Sequence, residues 1–216
     1  MPAVPARGAA PGRCYAAGVA LPSIRSVRAL HEKYAPSGED LALVLTHCEI
    51  VARIAVRLAE QAGPRVDVEL VRIGALLHDI GVYRVGDGAY IRHGVLGHEI
   101  LRAEGLPEEL CRFASCHTGV GLTRHDIESQ CLPIPAGDYL AVSAEERLVM
   151  YADKFHSKST PPRFLDTDAY AGQVARFGVD KVAAFHELTA EFGRPDLTGL
   201  VAEYGHAHQQ GSALRV

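Results

Sequence analysis

The chain has 216 residues, of which 48% are hydrophobic, and a net charge of −4 with no long basic run. That suits one domain with extensions and a sizeable core, and argues against nonspecific nucleic-acid binding. No apolar stretch approaches membrane-spanning length, since segments such as 140–151 are broken by charges. The five cysteines (Cys14, Cys48, Cys111, Cys116 and Cys131) are odd in number and have no CxxC spacing. This argues against a disulfide framework or a zinc knuckle and fits a reduced, cytoplasmic setting.

Residues 1–20 are rich in Ala, Pro and Gly and lack the uninterrupted apolar core of a signal peptide; they read as a flexible leader. Residues 21–204 read as one helical domain. A short helix from Ser23 to Tyr34 carries Ile24, Val27, Leu30 and His31 on one side and is ended by Pro36. Ser37 and Asp40 suggest a capping box for the next helix. On it Val44, His47, Cys48, Val51, Ile54, Ala55 and Leu58 follow helical spacing, until Gly63-Pro64 ends it. A third helix begins near Asp67 and aligns Val71, Gly74, Ala75, His78 and Asp79, with Gly81 suited to its end. Residues 82–92 read as a loop. His93, Leu96, Gly97, Ile100 and Leu101 form a fourth stripe, with the histidine in the first turn. Pro107 opens a helix with Leu110, Phe113, Ala114 and His117 in line. Residues 119–138, with Gly121, Pro133, Pro135 and Gly137, read as a long loop over the site, a common place for a lid. Glu145, Leu148, Val149, Ala152 and Asp153 make the next stripe.

Two or three C-terminal helices follow over 161–204. Their packing positions are Val174, Phe177, Val182, Phe185, Leu188, Phe192, Leu197, Leu200 and Val201. Residues 205–216 are polar and read as a frayed tail, with His206 and His208 solvated rather than ligating. There is no internal repeat and no alternating strand pattern. The expected fold class is all-α, a compact multi-helix bundle.

The chemistry concentrates at His78-Asp79, inside the apolar run from Ala75 to Gly81. An ionised carboxylate buried without a partner costs many kcal/mol, and a metal ion is the commonest group that offsets a buried His plus Asp. His47, His93, His117 and Asp153 are matching ligands, each on the apolar stripe of its own predicted element. A single histidine on such a face is ordinarily a core residue with one hydrogen bond. Five stripes that each aim a nitrogen or carboxylate inward point instead to a metal.

The order His47, His78-Asp79, Asp153 resembles the H…HD…D signature of the HD-domain metal-dependent phosphohydrolase superfamily. His93 and His117 resemble the additional ligands of its two-metal subset of small bacterial and archaeal proteins. The segments GALLHDIG, HGVLGHEIL, HTGVG and YADKF carry the likeness, over roughly residues 28–160. His98 departs from the pattern, standing where relatives more often have a small residue. The resemblance implies an HD-domain bundle with additional C-terminal helices. It also implies one metal on His47, His78, Asp79 and Asp153, and a second on Asp79, His93 and His117. Imidazole and carboxylate ligands without thiolate favour iron, manganese or another first-row ion. Two ions about 3.5–4 Å apart would share a hydroxide and hold a phosphoryl group for attack.

Phosphate contacts need cations, and Lys154 and Lys158 stand beside Asp153. Thr118 and Gly119, directly after His117, offer a hydroxyl and an unobstructed amide. Arg84, Arg92 and Arg124 flank the ligand segments, and His125 is a loop histidine read as surface. The expected function is a phosphohydrolase, with Asp79 and Lys154 at the reaction centre and Lys154, Lys158, Thr118 and Gly119 holding a small phosphorylated substrate, a nucleotide by preference. Nucleic-acid and membrane partners are not expected. Two other readings stay open on sequence alone: a di-iron oxygenase of the same layout, and a metal-stabilised binding module without turnover.

Overall fold

Apolar residues at helical spacing, separated by strong terminators, produce a bundle of helices. A computed structural model describes residues 21–211. The leader read over 1–20 and residues 212–216 of the tail lie outside the described residues. Helix α1 (Ile24–Tyr34) starts at Ser23, whose hydroxyl accepts from the Ser26 amide. Helix α2 (Gly38–Ala62) is 25 residues long, capped by Ser37 accepting from the Asp40 amide and stopped by Gly63 at φ 72°. Asp67 begins α3 (Val68–Leu77) by accepting from the Glu69 and Leu70 amides. Then come α4 (His93–Ala103), α5 (Glu108–Ser115), α6 (Arg124–Ser129) and α7 (Ala144–Ala152). The C-terminal part holds α8 (Thr167–Val174), α9 (Val179–Phe192) and α10 (Thr198–Tyr204). No helix among the described residues is long and apolar enough to cross a membrane.

Helix α2 is the axis, packed on α3 and α7, while α4 packs on α5. Val44, Cys48, Val51, Ala55 and Leu58 of α2 are fully or almost fully buried, as their spacing requires. At full burial each large aliphatic side chain stabilises the fold by about 1.5–3 kcal/mol. Two glycines allow backbones to meet. A Cβ on Gly81 would fall 1.9 Å from the His93 carbonyl oxygen and 2.2 Å from the Gly97 nitrogen. Gly81 therefore does not end the third helix, which stops at Leu77; it lets the following 3₁₀ turn, Ile80–Arg84, lie directly on α4.

Several expectations need correction. The segment 119–138 is not an open loop. It contains α6, closed by a reciprocal capping box between Thr123 and Asp126, and Leu122 bridges to Tyr139. Phe177 is 55% exposed rather than packed, because the 3₁₀ turn Ala175–Phe177 directs it outward beside Arg176. The tail is not frayed as far as residue 211. A small sheet joins β1 (His156–Ser157), β2 (Arg163–Leu165) and β3 (Ala207–Gln209), with β1 antiparallel and β3 parallel to β2. Strands this short have no alternation for sequence analysis to detect. Gly205, left-handed at φ 64°, turns the chain from α10 into β3, and the Gly211 amide donates to Asp166.

Candidate metal centre

The six expected ligands meet at one place and fall into two groups that share Asp79. His47, His78, Asp79 and Asp153 bring one ligand atom each within 4.8 Å of one another, and Asp79, His93 and His117 do the same. His47 Nε2 lies 3.0 Å from Asp153 Oδ1 and 3.2 Å from Asp79 Oδ2. His78 Nε2 is 3.5 Å from Asp79 Oδ2 and 3.4 Å from Asp153 Oδ1. On the other side of the same carboxylate, His93 and His117 place Nε2 at 3.6 and 3.4 Å from Asp79 Oδ1.

The ligands do not all sit within helices. His47 is mid-helix and His93 opens α4, but His78 caps the C-terminus of α3, His117 stands two residues beyond α5, and Asp153 caps α7. The apolar stripes carried on by one step past the last helical turn. This placement has a chemical consequence. Helix C-termini have unpaired carbonyls and the negative end of the macrodipole, so three of them converging favour a cation. The freed carbonyls also orient the rings: His78 Nδ1–H donates to Ala75 O at 2.7 Å, and His117 Nδ1–H to Ala114 O at 2.7 Å. At the start of α4, His93 Nδ1–H donates to Tyr90 O at 2.7 Å. A carbonyl can only accept, so each of these rings carries a proton on Nδ1 and turns Nε2 toward Asp79 as the atom free to ligate.

The residues fit a metal. Burial pushes the His93 pKa down to about 4, helped by His117, and burial also lowers that of His117. Both rings are thus neutral, yet their Nε2 lone pairs face each other at 2.9 Å. Beside them Asp79 Oδ1 is buried without a hydrogen-bond partner. Burial opposes the charge on Asp79, but the ammonium of Lys158 beside it outweighs burial and holds the carboxyl well below its usual range. Two lone pairs and an anionic oxygen converging in a buried space require a cation between them. No thiolate competes, since Cys48 and Cys116 are buried and burial raises both thiols.

The cations near the site divide in two. Lys154 is buried and committed, donating to His117 O at 2.9 Å and Asp153 Oδ2 at 2.7 Å. Lys158 follows β1 rather than a helical turn, pairs with Asp79 and lies 5.9 Å above the Tyr90 ring. A cavity of about 200 Å³ is lined by Asp79, His93, His117, Thr118, Gly119 and Lys158. It borders a polar cavity of about 500 Å³ that includes Ser157, Lys158, Ser159 and Arg176, and an apolar one of about 190 Å³ that includes Leu122, Leu132 and Val174. Arg84, Arg92, Arg124 and His125 are exposed. His98 bonds Ser115 Oγ at 3.0 Å on the α5 side and is absent from the lining of these cavities.

Sequence reasoning missed two residues. His156 Nδ1 lies 2.9 Å from His47 Nδ1, and His156 Nε2 lies 2.9 Å from His206 Nδ1. Burial, with His47 and His206 adding to it, pushes the His156 pKa down to about 3. His156 might have been flagged by its place three positions after Asp153; nothing local marks His206, which the sheet brings in. His206 is therefore not a solvated tail residue, whereas His208 is exposed as expected.

Residues 44–158 match the HD domain family. An uncharacterized protein of Methanocaldococcus jannaschii is 45% identical over 113 residues, covering 51% of this chain and 64% of that protein. A tRNA (cytidine(56)-2'-O)-methyltransferase of Picrophilus torridus is 36% identical over 115 residues, covering 53% of this chain and 32% of the enzyme. The chain thus spans less than two thirds of the length of these relatives. Among solved structures, the HD domain of the L. monocytogenes phosphodiesterase PgpH in complex with cyclic-di-AMP aligns with TM-score 0.49 and 15% identity, over 85% of this chain and 99% of that one. The family match spans both the His78-Asp79 pair and the outlying His47 and Asp153, and on that ground the chain belongs to the HD-domain family.

Proposed function

We propose that this protein is a metal-dependent phosphohydrolase that cleaves a phosphate ester or anhydride of a nucleotide or another small phosphorylated metabolite. One observation carries the reading: the two oxygens of the single carboxylate Asp79 face two separate groups of ligand atoms, and Oδ1 has no other partner. Iron or manganese suits these ligands. When bound, such ions polarise a phosphoryl oxygen and make water acidic enough to attack near neutral pH.

The chain's own groups do the rest. Lys158, Thr118 and Gly119 line the central cavity and receive the phosphate, with the ammonium of Lys158 offsetting its charge. Gly119 at φ 58° exposes its backbone without a side chain in the way. Lys154 acts beside the reaction centre by holding Asp153 and the carbonyl of His117. The apolar cavity takes the base or another apolar portion of the substrate, and the polar one takes its hydroxyls or a further anionic group.

The test is phosphate release from a panel of nucleotides and sugar phosphates, run anaerobically with manganese or ferrous iron, together with elemental analysis. Two ions per chain and release from at least one nucleotide are expected. Dioxygen consumption by the iron form, with no phosphate released from any compound, would overturn the reading in favour of an oxygenase. Metal binding with neither activity would leave a binding module.

A further inference from the structure

We infer that His206 is a positioning residue for the metal centre: through His156 it sets which ring nitrogen His47 presents, so the turn that joins α10 to β3 is part of the site. This rests on the metal reading above.

The argument begins with an asymmetry. His78, His93 and His117 each give Nδ1–H to a backbone carbonyl, which cannot donate in return. His47 has no such partner. It lies inside α2, where the carbonyls one turn back are engaged in the helix ladder, and its Nδ1 meets another imidazole instead. An imidazole can donate or accept, so this contact alone leaves His47 free to carry its proton on either nitrogen. To offer Nε2 to a cation, His47 must keep its proton on Nδ1 and donate to His156 Nδ1. His156 then carries its proton on Nε2, in a site where its side chain is buried, and that N–H needs an acceptor. His206 Nδ1, 2.9 Å away, is that acceptor.

The fold holds His206 there by several means. Its ring stacks on His156 at 5.1 Å between centroids and 27° between planes, and Phe164 of β2 flanks both rings. Gly205 turns the chain and β3 pairs with β2 immediately after His206. Asp166 N donates to Gln209 O at 3.1 Å, closing the far end.

The experiment compares the unsubstituted protein with His206→Leu, which has no acceptor, His206→Asn, whose Oδ1 replaces Nδ1 as acceptor, and the neighbouring control His208→Leu. Zinc and manganese affinities are measured by chelator competition. His206→Leu should weaken one of the two bound ions by about tenfold to a hundredfold, the range for loss of an outer hydrogen-bond partner of a metal-binding histidine. The other ion should be unaffected, and His206→Asn and His208→Leu should bind as the unsubstituted protein does. Nitrogen-15 histidine spectra of the zinc-loaded, unsubstituted protein should show the proton on Nδ1 of His47 and on Nε2 of His156. Equal affinities across the series, parallel weakening of both ions, or a His156 proton on Nδ1 would overturn the inference. An unsubstituted protein that binds neither ion would remove the metal reading, and this inference with it.

Discussion

The two ligand groups around Asp79 are built in different ways. In the group of His93 and His117, each ring is oriented by a carbonyl three residues before it, so the geometry is written into one turn of local backbone. In the group of His47, His78 and Asp153, one ring depends on His156, which is 109 residues away in sequence, and through it on His206, a further 50 residues on. Local construction makes a ligand hard to misplace; distant construction makes it responsive to how the rest of the chain folds. The centre joins one group of each kind through a single carboxylate.

Asp79→Asn should break both groups at once. It keeps the shape of the side chain and removes the charge they share, so near-complete loss of metal and a fall in turnover of roughly a thousandfold or more are expected. Circular dichroism should stay helical, because the core of α2, α3 and α7 does not involve this carboxylate. Near-normal turnover would refute the bridging role. His117→Gln should separate the groups: elemental analysis is expected to fall from two ions to one, with the His47 group still filled.

Lys158→Ala tests the substrate side. Metal content should be unchanged while kcat/KM falls by about tenfold to a hundredfold, since a charge-assisted contact is worth about 1.5–3 kcal/mol. Lys154→Ala should reduce turnover further, because the ammonium also holds Asp153 and the carbonyl of His117. If the double variant releases phosphate normally, these lysines take no part.

The smallest effect concerns the segment after His117, which shapes one flank of the cleft. Burial opposes ionisation of Asp126, but Lys181 and the amide and hydroxyl of Thr123 outweigh it and bring its pKa down to about 2. A carboxyl with a lowered folded-state pKa contributes stability that is present above about pH 4 and is lost as pH falls through about 2. The metal-free protein should lose about 2 kcal/mol from this source over that window. Asp126→Asn should flatten that part of the acid unfolding curve; an unchanged curve would show that the pair with Lys181 does not contribute.

The helical class and the clustering of the six candidate ligands were legible because both rest on short-range signals. His47 and Cys48 sit among apolar residues at helical spacing, and His78-Asp79 is conspicuous in an apolar run. The stripes also carried past the helix ends, which is why His117 read as helical when it is not and Asp153, which opens a 3₁₀ turn, read as part of the α-helix before it. The small sheet was illegible: strands of two and three residues have no period, and the pairing of β2 with β3 joins segments more than forty positions apart. His206 was misread for the same reason, since its surroundings in sequence are those of a polar tail. Phe177 was misread because an apolar residue at the right spacing was assumed to continue a helix that had given way to a 3₁₀ turn.

The meeting of Gly81 with His93 and Gly97 has a consequence for how far this centre can drift. Where two elements touch through side chains, a change of one methyl is absorbed by small rotations of its neighbours. Here backbone lies against backbone, with no side chain between to yield. The turn after Asp79 and the helix that begins at His93 therefore share a rigid seam, and it sets the gauge between the shared carboxylate and the second group of ligands. At Gly81, where that seam is tightest, only hydrogen fits in place of a side chain.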